Sequence, residues 1–367
     1  MPEATLIKQS LKLPCPSCGS QLLYSAKVKK LRCDHCGYTE EIDRSNDKVL
    51  EQSLKDAASK AVNFTAESIG KKVFDCTSCG SKFMVESDKV KVTCGFCGST
   101  NVNLEAYQRQ YIQPIGIIPF YIARDEAETL FRDWIKKGWF HPNKLKSLAS
   151  LEGLHGIYIP CWTFDAQSES DWQGEAGFYY TETVMVRVQG KVQPQQVQKI
   201  RWTWRSGHLS HFLDDIMVVA STGIKQRELE WILPFRMEEV VNFDPRLLLG
   251  WESEIYGIEV DKGYQIGEGI MEAKIRQMCS AQLGGDTQRN LQISSRLFNQ
   301  TFKHVVLPIW ISSYRFQNKV FHFTINGQTG KVNGEKPLSW IKIAILVLLF
   351  ALFIFGIYML RESGIMR

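Results

Sequence analysis

The longest uninterrupted apolar pattern runs from Ile343 to Leu360. It carries no charge, and Leu346, Leu348, Leu349, Phe350, Leu352, Phe353 and Phe355 leave it no polar face. At 1.5 Å per residue such a helix spans about 27 Å, close to the hydrocarbon thickness of a bilayer. Trp340 and Tyr358 stand where interfacial aromatics gather, and Lys342 and Arg361 bracket the run. The pattern predicts one transmembrane helix over 340–360, followed by a short tail over 361–367.

Upstream the periodicity changes several times. Val49, Leu50, Leu54, Ala57, Ala58, Ala61 and Val62 recur at helical spacing, which predicts an amphipathic connector over 45–70 ending near Gly70. Residues 104–118 read as a linker or entry strand. Asp125 with Glu128 makes a capping-box-like start for a helix whose apolar face is Ala127, Leu130, Phe131, Trp134 and Ile135. Val184, Val186 and Val188 alternate with Met185 and Arg187, and Ile200, Trp202 and Trp204 alternate with Arg201, Thr203 and Arg205. This predicts two half-buried antiparallel strands joined by a loop over 189–196. A second helix is expected over 264–283, with Ile266, Ile270, Ala273 and Met278 inward and Gly284-Gly285 as its stop.

Two repeats organise the chain. Ile157-Tyr158-Ile159-Pro160-Cys161-Trp162 resembles Val305-Val306-Leu307-Pro308-Ile309-Trp310, and the prolines suggest edges or bulges. The second copy leads into Asn326-Gly327, a hairpin-turn signal. The fold class expected is α+β. It comprises two small β zinc ribbons (1–44 and 71–103), a central antiparallel sheet with helices in two related halves (119–338), and the C-terminal transmembrane helix.

The other repeat is in the cysteines. Cys15-x2-Cys18 is followed by Cys33-x2-Cys36, and Cys76-x2-Cys79 by Cys94-x2-Cys97, with identical spacing; Gly19, Ser20 and Gly37 recur as Gly80, Ser81 and Gly98. Two Cys-x2-Cys steps joined by a short hairpin bring four thiolates together, and a closed four-sulfur tetrahedron suits structural zinc. Iron in a rubredoxin-like site is the second choice. Thiol redox chemistry would need only one pair. The expected cofactor is Zn2+, two per chain, on Cys15, Cys18, Cys33, Cys36, Cys76, Cys79, Cys94 and Cys97. His35 has no place in a closed site, and Cys161 and Cys279 read as small buried residues.

Composition changes this picture little. A hydrophobic fraction of 44% and a charged fraction of 23% are those of a folded protein, and a net charge of +5 demands no polyanion. Locally, Lys27, Lys29, Lys30 and Arg32 are the only charges between Cys18 and Cys33. Arg187, Arg201 and Arg205 are expected to share the sheet face opposite Trp202 and Trp204. A solvated outer face accounts for both groups; an anionic partner is the sharper reading. His208, His211, Asp214 and Asp215 read as surface polarity. Gly327 to Lys331 imitates the end of a phosphate-binding loop without its upstream spacing, and no nucleotide loop or nucleophile elbow occurs, so no enzyme activity is expected.

The Cys-Pro-Ser-Cys-Gly opening, Cys33-Asp-His-Cys36-Gly and their second copies resemble transcription-factor-IIB-type zinc ribbons. Phe302 to Trp310, then Asn326-Gly327-Gln328-Thr329-Gly330-Lys331-Val332 and an apolar C-terminal helix, resemble a family of prokaryotic membrane-anchored zinc-ribbon proteins. Members are often named by analogy with primosomal protein N′, the replication factor Y helicase, whose motor motifs are absent here. The resemblance implies zinc on the eight ribbon cysteines and a membrane location, and some relatives serve as anchors for stomatin-like or membrane-stress proteins. The function expected is a non-enzymatic, membrane-tethered adaptor that recruits a cytoplasmic protein partner. Nucleic-acid binding at the membrane is the first alternative and an enzyme in the central domain the second. Lys331, Lys336 and Lys342 before the helix, against Arg361 and Arg367 after it, and thiolate sites that last best in a reducing compartment predict a single pass with the N-terminal bulk cytoplasmic.

Overall fold

The computed structural model describes residues 13–43, 48–65, 71–86, 92–105, 108–137, 154–188, 191–316 and 319–362. The chain is α+β and rich in sheet. Strands β1 (Leu22–Ser25), β2 (Lys30–Cys33) and β3 (Thr39–Glu40) form a separate three-stranded sheet around the first cysteine frame.

The predicted helical connector is not a helix. Where it is described it consists of β4 (Gln52–Ser53), a 3-10 segment over Leu54–Lys60, and β5 (Ala61–Thr65). Val62, Asn63, Phe64 and Thr65 favour extended backbone, and β5 finds a distant partner in β9, so tertiary pairing overrides a short helical pattern. Only Ala57 of the 3-10 segment is buried, and Leu50 is exposed. Gly70, the expected stop, lies outside the described residues.

The second cysteine frame belongs to the main sheet. Strands β6 (Lys71–Cys76), β7 (Lys82–Glu86) and β8 (Val102–Glu105) carry it. The next two strands, β9 (Gln108–Ile112) and β10 (Gly116–Ile117), occupy the segment expected as a linker. Then follow α1 (Arg124–Lys136), β11 (His155–Val188), β12 (Lys191–Val219), α2 (Gln226–Ile232), β13 (Val241–Asn242) and β14 (Glu252–Glu254). The chain continues through α3 (Val260–Leu283), β15 (Thr287–Phe316), β16 (Lys319–Asn326), β17 (Val332–Gly334) and α4 (Trp340–Glu362). Asp125 does not cap α1, whose N-cap is Ala123; it lies in the first turn and pairs with Lys27.

At the centre, β11 and β15 run antiparallel, with Ile157 opposite Ile309 and Cys161 opposite Val305. The two similar hexapeptides therefore face each other. Beside β11, β14 runs parallel at Ile157 and Tyr158, and β12 takes over from Cys161. Beside β15, β10 runs parallel at Val305 and Val306, and β16 takes over from Ile309. Pro160 and Pro308 each stand at a handover, so neither marks an edge or a bulge. The carbonyls of Pro160 and Pro308 accept from the N–H groups of Ala220 and Gly327. Within one residue of a strand the N–H and C=O point the same way, so each missing donor faces the gap between two neighbouring strands and leaves no partner unpaired.

From Cys161 outwards β11, β12 and β15 form a long arm, and α3 packs along one face of it. The buried stripe of α3 is Val260, Gly263, Gly267, Met271, Ile275, Cys279 and Leu283. Ile266, Ile270 and Met278 flank it and Ala273 is exposed, so the predicted inward face is rotated. The reason is that Gly263 and Gly267 admit Trp162 and Phe164: a Cβ on Gly263 would stand 2.6 Å from Trp162 Cδ1. Gly263→Val is expected to lower stability by about 1–3 kcal/mol through overpacking. Gly269→Ala, where nothing stands within 4 Å of the new carbon, is expected to raise it by about 0.5–1 kcal/mol. Denaturant melts of the two variants check the rotated face.

The arm outruns its helix. The pairing of β11 with β15 stops at Gly177 and Thr287, but β11 and β12 stay in register from Phe178–Arg201 to Val188–Lys191. Residues 191–196, expected in a loop, are thus strand; Val184, Val186 and Trp202 are half-buried as the alternation predicts, whereas Ile200 and Trp204 are exposed.

Candidate metal centres

Each Cys-x2-Cys step adopts the same backbone. The N–H groups of Gly19, Gly37, Gly80 and Gly98 donate to the carbonyls of Cys15, Cys33, Cys76 and Cys94 at 2.7–2.9 Å. All four glycines have φ between 71° and 79°. A Cβ at Gly19, Gly37 or Gly80 would meet nothing within 4 Å, so the left-handed backbone, and not space, calls for glycine. The turn aims both sulfurs of a step to one side.

In the first centre Cys15 Sγ lies 3.5 Å from Cys36 Sγ, and Cys18 Sγ 3.5 Å from Cys33 Sγ. In the second, Cys76–Cys97 and Cys79–Cys94 are each 3.6 Å apart. All four sulfurs of each centre lie within 4.8 Å of one another. A tetrahedral thiolate site with metal–sulfur bonds of about 2.3 Å has edges of about 3.8 Å, so both donor sets fit one ion of that size. The Cys33 thiol is held down to about 6, chiefly by the backbone N–H of Cys36. That of Cys79 is held down to about 4, chiefly by the neighbouring Cys94 thiol, and Cys94 is pushed up in exchange. His35 is exposed, and each group closes with cysteine alone.

The two centres are mounted differently. The first ribbon docks on the body through β1: Tyr24 Oη donates to the Phe120 carbonyl at 3.1 Å, and Trp251 Nε1 donates to the Tyr24 carbonyl at 2.9 Å. The second is continuous with the sheet, since Met84 and Phe83 of β7 pair with Ser253 and Glu254 of β14. Cys76, Cys94 and Phe96 share one core with Ile157, Cys161 and Val305. Thr222 Oγ1 donates to the Gly80 carbonyl at 2.9 Å. Gly223 lies against the Phe96 ring, 2.6 Å from where its own Cβ would stand.

Beneath this second centre Glu254 is 1% exposed and accepts from the N–H groups of Thr222 and Gly223 at 3.2 Å. Burial pushes its carboxyl up to about 8. A carboxyl raised in the fold favours the protonated state. Its stabilising contribution is complete below about 4.5 and is lost as pH climbs through about 8. Glu254→Gln is therefore expected to match the parent near pH 5 and to melt higher near pH 9, read by thermal melts of the metal-loaded protein.

The basic residues do not converge. Lys27 pairs with Asp125 at 3.3 Å, Lys30 with Glu41 at 2.5 Å, and Lys29 lies 4.5 Å over the Tyr121 ring; Arg32 is half-buried on β2. On the arm the predicted trio divides. Arg201 and Arg205 oppose Phe178 and Gly174 and share the α3 face, whereas Arg187 opposes Val192 and lies on the face of Trp202 and Trp204. The hairpin register, set by Val188 opposite Lys191, moves Arg187 across. Arg205 Nη1 donates to the Leu283 carbonyl at the end of α3.

His208 joins no metal group. It bonds Asp171 at 2.8 Å and Glu169 at 2.6 Å, which hold its imidazole above the ordinary histidine range. Sequence reasoning missed a third group of possible ligands, the acidic cluster Glu51, Asp165 and Asp214. Lys303 lies within it, 2.8 Å from Asp215 and 3.3 Å from Glu51. Glu51 stands 114 residues before Asp165, and Asp214 lies 49 residues beyond it, so nothing local signals the group.

The residues 340–357 of α4 meet the length and composition of a membrane span, and none of that window is buried against the body. No family model matches the chain, and no solved structure matches it. A protein of Bacillus subtilis (strain 168) named Uncharacterized protein YdjG is 27% identical over 339 residues, covering 90% of this chain and 91% of that one. A match of that length reaches far beyond the cysteine frames and into the central sheet.

Proposed function

We propose that the chain is a membrane-tethered zinc adaptor, with a zinc ion in each four-cysteine centre, α4 crossing the bilayer once and the bulk of the chain cytoplasmic. The observation that carries this reading is α4: an apolar helix without a buried face, joined to a body whose two metal centres are closed to substrate. Closed sites support recognition, not chemistry. The transcription-factor-IIB-type resemblance of the ribbons belongs to the same proposal. So does the reading of the central domain as two related halves. Its support is the matched pairing: β10–α1–β11–β12 and β14–α3–β15–β16 follow one order, and each half lends its short strand to the other's long one.

Affinity purification of the full chain from native membranes tests the adaptor. One protein is expected to co-elute stoichiometrically with the parent and to be lost from a variant with a broken ribbon. Recovery of the chain alone, from mild extraction, would count against it. The nucleic-acid reading has less support, because Lys27 and Lys30 already hold carboxylates of the same chain. Any DNA binding is expected to be weak, to fall steeply with salt, and to vanish when Lys27, Lys29, Lys30 and Arg32 are replaced by glutamine. Nanomolar binding to one DNA structure near physiological salt would reverse the order of the two readings.

A further inference from the structure

Beyond Gly177 the β11–β12 ribbon has, among the described residues, neither a third strand nor a helix to cover it, and it projects for about 35 Å at 3.3 Å per residue. A two-stranded ribbon alone in water is marginal, and this one is apolar on both faces. Met185 is 72% and Val192 60% exposed on one face; Tyr180, on the other, is 45% exposed. A protein groove would ask for one apolar face only.

Charge separates the ribbon from the rest of the arm. Over its length the one carboxylate among the described residues is Glu182, which is already paired with Lys199. Arg187, Lys191 and Arg201 form no ion pair among the described residues. Nearer the body the uncovered face carries Glu169, Asp171 and Glu175. Those carboxylates pair with His208 and Arg289, so the middle of the arm is neutralised internally, whereas its end keeps unpaired cations suited to an anionic surface. A second copy is disfavoured as the occupant, because both free edges of the arm carry cations: Lys191, Lys199 and Arg201 on β12, Arg289 and Arg296 on β15.

We infer that the free end of the β11–β12 ribbon is a second membrane contact, seated at the interface of an anionic bilayer. Its apolar side chains enter the headgroup–acyl boundary while Arg187 and Lys191, at that end, meet lipid phosphates. Insertion stops at the interface, because the open edge of β12 needs water for its unpaired backbone groups. The contact rests on the membrane reading only for the presence of a bilayer. The helix α4 leaves from the opposite end of the sheet, after β17, and β11 is about 110 Å long at 3.3 Å per residue. The arm then lies along the membrane, held at both ends.

The test places an environment-sensitive nitrobenzoxadiazole probe on Met185→Cys in the full, metal-loaded chain, with Ser294→Cys in mid-arm as control. The ribbon cysteines are engaged by metal and Cys161 and Cys279 are buried, so the label goes to the new thiol. The chain is reconstituted in phosphatidylcholine vesicles with or without about 30% phosphatidylglycerol, and spin-labelled lipid is added as quencher. The expected result is quenching at position 185 at least twofold above the control in anionic vesicles. It should return to control in pure phosphatidylcholine, or when Arg187 and Lys191 are both glutamine. A probe no more quenched than the control overturns the contact, and equal quenching in both vesicles overturns its anionic character. A blue-shifted but unquenched probe means that protein covers the ribbon, which also overturns it. Flotation of the same samples reads α4 separately: a chain that floats with an unquenched probe sinks the ribbon contact alone, and a chain that does not float sinks the span.

Discussion

Serine in place of Cys94 is expected to cost the chain its main sheet, whereas serine in place of Cys15 is expected to remove only the first ribbon. Each variant should retain about one zinc per chain by elemental analysis, against about two for the parent. The difference lies in mounting. Cys94 and Cys76 are fully buried in the core that holds Phe83, Ile157 and Cys161, and β7 is hydrogen-bonded to β14. A structural zinc site contributes on the order of 10–16 kcal/mol, and a whole domain is stable by only about 5–15 kcal/mol, so losing the second ion removes more than the sheet can spare. The first ribbon has its own three-stranded sheet and meets the body through Tyr24, Leu23 and Lys27. Near-ultraviolet circular dichroism separates the outcomes: Cys15→Ser should keep a cooperative thermal transition and Cys94→Ser should lose it. Loss in both would make the ribbons and body one cooperative unit. Iron in place of zinc would overturn the cofactor assignment.

Ending the chain after Pro337 is expected to shift it from the membrane pellet to the soluble fraction by about tenfold or more, because the span-length apolar helix lies beyond that point. At 23 residues α4 is about 34 Å long, enough to cross the hydrocarbon. The ribbon contact alone is an interfacial, charge-dependent association. In high salt and carbonate the truncated chain should therefore stay in solution, and a chain that still pellets would reveal another anchor. Compartment-sensitive reporters at either terminus read the orientation, and an N-terminus outside the cytoplasm would contradict the proposed topology.

What could be read from the sequence was local. The cysteine frames are legible because four ligands lie within about twenty residues of one another and chemistry restricts what else they can be. The apolar run over 343–360 is legible for a similar reason, since a helix without a polar face has only a protein core or a bilayer to enter. The extent of β11 and β12 was not legible, because Glu169, Asp171 and Gln173 look like loop until β12 and β15 supply partners. The inward face of α3 escaped because glycine carries no hydropathy signal, although Gly263 and Gly267 seat Trp162 and Phe164. The Glu51–Asp165–Asp214 group and Lys303 escaped because folding alone brings them together.

The hydrogen bonds between β7 and β14 tie the order of assembly to metal supply. The residues of the second centre are synthesised well before Glu252 to Glu254, and β14 completes its pairing by docking between β11 and the β7 edge. Folding of the middle of the chain therefore waits for an ion bound to its beginning. Without that ion the polypeptide would reach full length with an uncovered strand edge and an unfilled core, a substrate for proteases. Abundance of the protein should then follow zinc availability without any transcriptional control.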